Sequence, residues 1–475
     1  MTGSLLLGAA IATTTGYLVL GWLSPAPATW PLRTVRAGMA VVTGMALHSL
    51  WQLVWVARVA GTGPHVAFFA YDLALPVLLG VARVAVRSKV PAARDQPGVS
   101  AHQAGWLPVG AGIACGIGTA MAWTLARVET HGAWDAWAMW NFKARWLALG
   151  GTPWSEILTN TGFATAHPDY PLLLPLSVSR LWLMTGGVPT AVPQAIGVCA
   201  GALAAVLLMA AAWSLRGPTS AAVAGAALLA LPPFLAASAS QLADVPLACC
   251  YLATIVALAT GMQTGATGRW FAVAGLCAGA AMWTKNEGTL FAVCALVSLL
   301  GTAIRAPVSR RESIVRIGQF VAGMAPFLIA TFVLRLVAIE NDLVAGQSAA
   351  ATWARVTTVG RHAEILRHGL SMMKSLPDVI GVICFAGYLA FRGVALDLRS
   401  AGVVASTLGL TACGYYALYV VTPYELSWHL TTSADRLVVQ LWPSVVFAAL
   451  LITQDERPAI TPDSRRSDAS GNRLD

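Results

Sequence analysis

The sequence predicts an all-α membrane protein: a polytopic transmembrane helical bundle of about 13 spans, with juxtamembrane helices on its outer face. Three observations carry this. Charged residues make up 11% of the chain and hydrophobic residues 57%, whereas a soluble domain carries about 25% charged residues. Mean hydropathy is +0.67. The apolar residues come in blocks long enough to cross about 30 Å of hydrocarbon at 1.5 Å per residue. Such blocks are helical because lipid offers no partner to an unpaired backbone N–H or C=O.

The expected spans, in order, are 4–23, 37–59, 65–87, 106–126, 190–213, 220–238, 245–262, 270–284, 288–304, 317–338, 377–393, 401–421 and 437–453. The first is preceded by no basic residue, and the first Arg is Arg33. It therefore reads as an uncleaved helix with its N-terminus outside rather than as a signal peptide. Arg33 and Arg36, Arg83 to Arg94, Arg216, Arg269, Arg305 to Arg316, Arg392 and Arg399, and the tail arginines then all fall on the cytoplasmic side. That is the positive-inside pattern, and it accounts for the net charge of +9 without nucleic acid. Residues 171–187 are apolar but short and contain Arg180. Counting them as a span would invert everything downstream, so they read as a juxtamembrane or re-entrant outer helix.

The chain divides into residues 1–105 with three N-terminal helices, a membrane module at 106–340 with a long outer loop at 127–189, an outer loop plus C-terminal helices at 341–453, and a disordered cytoplasmic tail at 454–475. The eight cysteines all lie in or beside apolar blocks without metal-binding spacing. They read as small buried side chains, with neither disulfides nor zinc implied.

Polar chemistry gathers at the outer ends of the helices. The first long loop places Trp134, Asp135, Trp137, Trp140, Lys143, Arg145 and Trp146 in a stretch suited to a helix in the headgroup layer. From there Lys143 and Arg145 are expected to reach lipid phosphates. A carboxylate ringed by tryptophan at a membrane surface is costly unless used or paired, which singles out Asp135. His167, Asp169 and Tyr170 enter the next apolar stretch between Pro168 and Pro171. The bland alternative makes Asp169 an N-cap with Pro171 in the first turn. Asp244, two residues before Pro246, admits the same capping alternative. Lys285 and Glu287 interrupt two apolar blocks, where a structural ion pair is the competing reading. His429 and Arg436 precede the final span. Asp135, Asp169, Asp244, Lys285, His429 and Arg436 share one side, as chemistry on a lipid-borne phosphate requires.

These motifs occur in a familiar order: an acid in the first outer loop, a Tyr170-Pro171 helix entry, Asp244 before Pro246, and Thr284-Lys285 at a span end. The order resembles the GT-C superfamily of membrane glycosyltransferases, in the branch of protein O-mannosyltransferases and lipid A aminoarabinose transferases. The resemblance covers roughly residues 106–340. It implies transfer of a sugar from a polyprenyl-phosphate carrier to a glycan, lipid or protein acceptor, on the outer face of the cytoplasmic membrane and with inversion. Asp135 would be the general base. Lys285, with Arg436 and His429, would hold the leaving phosphate. Asp169 and Asp244 would orient sugar or acceptor, and Trp134 and Trp137 would stack on sugar or prenyl groups. A divalent metal is left open, since some relatives use one and His167, Asp169 and Asp244 are donors of a suitable kind. Family members often carry two adjacent acids where Asp135 stands alone, and three extra helices precede the shared module here. A transporter or flippase of lipid-linked or small substrates is the alternative. It expects charges near the bilayer midplane, whereas the charges in this chain read as lying at helix ends. A polysaccharide polymerase or ligase would share the outer polar loops.

Overall fold

The computed structural model describes residues 2–24, 29–58, 65–86, 106–150, 153–264, 269–305, 309–339, 347–372, 376–394 and 398–454. The expected tail beyond Gln454, and the basic residues Arg87, Lys89 and Arg94, lie outside this set.

The described chain is helical, in the order α1 Thr2–Leu23, α2 Trp30–Arg58, α3 His65–Val86, α4 Trp106–Val128, α5 Asn141–Leu149, α6 Glu156–Thr159, α7 Leu173–Thr185, α8 Ala191–Arg216, α9 Pro218–Leu229, α10 Pro232–Ala239, α11 Asp244–Thr264, α12 Trp270–Thr284, α13 Asn286–Arg305, α14 Arg310–Val337, α15 Ala349–Thr357, α16 Val359–Ser371, α17 Leu376–Arg392, α18 Leu398–Val421 and α19 Leu426–Leu451. Ten of these are long and apolar enough to cross a membrane. The stretch expected as one span at 220–238 is instead α9 and α10, bent by 71° at a short break. Leu231 takes an extended backbone there and Pro232 begins the next helix, because proline removes an N–H and restricts the residue before it. Two further expected spans are the shorter apolar helices α12 and Gly381–Arg392.

α11 and α12 form the centre, and every residue of α12 is buried. α12 lies against α14 with backbones nearly touching. A Cβ on Gly275 would collide with the Phe320 carbonyl, and one on Gly323 with the Ala272 carbonyl. In lipid, where water does not drive helices together, small residues of this kind allow the close approach that holds them.

α7 is 13 residues long, too short to span. It is packed inside the protein rather than lying on the membrane surface. Arg180 on α7 forms an ion pair with Asp72 on α3 (2.7 Å), and Asp72 also meets His48 on α2 (3.0 Å). His48 continues to Thr15 of α1 at 2.8 Å. This network corrects the reading that charges lie only at helix ends. A charge at membrane depth is tolerated here because each group is partnered within the bundle. α1, α2 and α3 are thereby tied to α7.

Candidate active site

The loop between α4 and α8 folds back over one end of the bundle. Gly132 makes the turn with φ +72°, and the Ala133 N–H donates to the Ser240 carbonyl at 3.1 Å. A π-helical turn at Ala136–Trp140 leads into α5. Its apolar side, with Met139, Trp140 and Ala144, packs on Leu174, Val178 and Trp182 of α7 and on Leu242 and Ala243 before α11. Asp135, one residue before the π-turn, is thus held at the mouth of the bundle with 24% of its side chain exposed.

Arg436 of α19 reaches this carboxylate. Its Nη1 lies 2.5 Å from Asp135 Oδ2, and its Nε lies 2.9 Å from Asp244 Oδ2. Asp244 is fully buried and also receives Lys285 Nζ at 3.1 Å and Gln440 Nε2 at 2.6 Å. Lys285 pairs with Glu287 at 2.7 Å as well. Four residues distant in sequence are therefore linked without a break: Asp135, Arg436, Asp244 and Lys285. Two cations shared among three carboxylates satisfy the rule that buried charges must be paired, and Gln440 donates to an oxygen that already accepts from Lys285.

Asp169 joins one step away. Asn286 Nδ2 donates to its Oδ2 at 2.7 Å, and Arg335 at the end of α14 donates to Asn286 Oδ1 at 2.8 Å. The Tyr170 ring lies among these groups, 5.9 Å from Lys285 Nζ. Burial pushes its phenol well above the usual range, with the charges of Glu287 and Asp169 adding to the rise. The capping readings fail on these contacts. α7 begins after Leu172, leaving Asp169 outside it, and the Asp244 carboxylate is committed to side chains.

Lys143 is the clearest correction. It does not reach lipid phosphates: it is wholly buried, and its Nζ donates to the His167 carbonyl at 2.5 Å. His167 takes a left-handed backbone with φ 48°, uncommon for a residue with a side chain, and this turn presents the carbonyl to the amine. Desolvation lowers Lys143 to about 7, against the opposing pull of Asp169.

Arg145 is exposed on α5. Trp134 and Trp137 remain 53% and 52% exposed and meet edge to face at 5.9 Å, while Trp140 is buried against Tyr170. His429 sits two helical turns before Arg436, among Tyr419, Tyr424 and Trp428, with Nδ1 3.0 Å from Thr422 Oγ1. Among the described residues, no group of three or more His, Cys, Asp or Glu side chains could hold a metal ion. Asp244 already has two cations and an amide on it, so the donor set left open for a metal does not converge.

Asn286, Arg335 and Gln440 were not singled out from sequence. Gln440 interrupts the apolar part of α19 and Arg335 the apolar last turns of α14, and a polar group in such a setting is itself a signal.

Residues 169–334 match the family model described as dolichyl-phosphate-mannose-protein mannosyltransferase. The match starts at Asp169 and takes in Asp244, Lys285 and Glu287, but neither Asp135 nor Arg436. The crystal structure of ArnT from Cupriavidus metallidurans bound to undecaprenyl phosphate is similar at 18% identity, with a TM-score of 0.39. The similarity covers 60% of this chain and 49% of that one, so the chain spans about half the length of that protein. No curated protein sequence matches.

Proposed function

We propose that this chain, which matches the dolichyl-phosphate-mannose-protein mannosyltransferase model over residues 169–334, belongs to the GT-C superfamily and is a membrane glycosyltransferase that takes a sugar from a polyprenyl-phosphate carrier. The observation supporting this most directly is Arg436 bridging Asp135 and Asp244, with Lys285 on the far side of Asp244. A partly exposed carboxylate stands at the entrance, and two cations lie behind it.

In this reading the donor phosphate competes for Arg436 and Lys285. Arg436 carries five N–H donors in a planar fork, suited to a phosphate. As it turns toward the donor, the Asp135 carboxylate is released from its cationic partner and freed to face the acceptor hydroxyl. Asp135 then accepts the proton of the acceptor hydroxyl while that oxygen attacks the anomeric carbon. The bond from that carbon to the phosphate oxygen breaks, its electron pair leaves with the phosphate, and Lys285 and Arg436 offset the developing charge. A single displacement inverts the anomeric centre. Asp169, Tyr170 and Glu287 stand beside these cations and would meet the sugar hydroxyls, and the exposed Trp134 and Trp137 offer faces for sugar or prenyl groups. Lys143 acts as a positioning residue through the His167–Asp169 turn. The site lies on the extracytoplasmic side of the cytoplasmic membrane if the basic loops mark the cytoplasm.

The test is Asp135→Asn in liposomes supplied with a panel of radiolabelled polyprenyl-phosphate sugars and membrane acceptors. Transfer is expected to fall by roughly 10²–10⁴-fold, with insertion and thermal midpoint unchanged. Turnover within a few fold of the unmodified protein removes Asp135 as base. The buried Asp72–Arg180 pair is the one observation that favours a transporter. Label that enters sealed vesicles without forming a covalent product would establish that reading instead.

A further inference from the structure

We infer that α1, α2 and α3 form a binding site for an anionic phospholipid, at the end of the bundle opposite the candidate active site. A cavity of about 560 Å³ opens between these helices, lined by Ala10, Thr13, Thr14, Tyr17, Arg36 and Arg83 among others. Its described lining holds two guanidinium groups and no carboxylate.

The position follows from α1. Its N-terminal Leu5 joins the apolar cluster that α7 shares with Met139 and Trp140, and Gly8 faces Leu181 and Met184 of α7. Twenty-two helical residues rise about 33 Å, so Tyr17 and Gly21 approach the other membrane face. Arg36 stands near the start of α2 and Arg83 in the last turn of α3. The basic loops make this the cytoplasmic leaflet, where anionic headgroups are found.

Arginines at span ends ordinarily extend their heads into water. Arg83, though exposed, turns back along the bundle. It crosses back over α1, where its Nη1 donates to the Leu18 carbonyl at 3.1 Å, and it runs so close to Gly21 that any Cβ there would strike the guanidinium. The glycine is what lets the charge enter the cavity. Arg36 is buried and lies over the Tyr17 ring at 5.8 Å. Two like charges turned toward one apolar-walled opening match a single negative ligand, and a lipid phosphate with its acyl chains along α1 meets both the charge and the wall. Thr13, Thr14 and Tyr17 add hydroxyls beside it.

Purified full-length protein in nanodiscs of phosphatidylcholine with a minority of phosphatidylglycerol, followed by delipidation and native mass spectrometry, tests the assignment. The unmodified chain is expected to retain phosphatidylglycerol over phosphatidylcholine, and Arg36→Gln/Arg83→Gln to retain roughly tenfold less. Thr14→Trp, which fills the opening and leaves both arginines, should lower retention similarly and decides the matter if the double variant does not fold. Equal retention of the two lipids by the unmodified chain would overturn the inference. So would retention unaffected by Thr14→Trp, or displacement of phosphatidylglycerol by equimolar undecaprenyl phosphate. The readout is lipid retention, so it stands or falls apart from sugar transfer.

Discussion

At the residue scale, the pairing of Asp135 with Arg436 and the burial of Lys143 show two opposite uses of charge. Asp135 stays partly in water and is balanced by Arg436, the cation that a donor phosphate would draw away in the proposed reaction. Lys143 is sealed, and burial favours its neutral form. Its folded value of about 7 lies below the ordinary lysine value of 10.5, so between those pH values the unfolded chain binds the extra proton. Stability therefore rises with pH across that window. Thermal midpoints in detergent are expected to increase from pH 7 to pH 9. Lys143→Met should flatten the rise, because the titrating group is gone.

Sequence reading reached the residues but not their partners. Asp135, Asp244, Lys285 and Arg436 stood out as costly charges beside apolar blocks, a local property. That Arg436 bridges two of them spans 301 residues to Asp135 and 192 to Asp244, and no local pattern encodes such contacts. Lys143 was misplaced for the same reason: a lysine on a tryptophan-rich stretch looks interfacial until the packing of α5 on α7 is known. Asp72 and His48 are not legible in the sequence because single polar residues hardly disturb a hydropathy average over a span.

At the scale of elements, α12 against α14 is the contact most sensitive to size. Gly275→Val would drive a branched side chain into the Phe320 carbonyl. Overpacking typically costs about 1–3 kcal/mol, and here the backbone itself must move. A lowered thermal midpoint and loss of transfer together are the expected result. Gly318, whose Cβ would meet nothing within 4 Å, supplies the control, with Gly318→Ala near neutral. The break between α9 and α10 shows where block length misleads. Hydropathy predicts one span over 220–238, yet Pro232 and Pro233 divide it into helices of 12 and 8 residues.

At the scale of the whole molecule, the arrangement of basic loops and site residues makes a directional claim. Trp137 is exposed beside Asp135, so a cysteine at that position in a cysteine-free background should react with membrane-impermeant maleimide added to intact cells. Labelling only after permeabilisation would invert the topology and place the site in the cytoplasm.

The brevity of α12 bears on how the protein would respond to its medium. Its 15 residues rise about 22 Å, roughly 8 Å less than the hydrocarbon thickness. With Arg269 and Trp270 set at one boundary of a layer about 30 Å thick, Lys285 would lie beneath the other, where dissolved ions enter poorly. Mobile counter-ions weaken exposed attractions far more than sheltered ones. Donor KM should accordingly stay nearly level as sodium chloride is raised from about 0.05 to 0.5 M, and a steep climb would mean that the phosphate is captured at the surface.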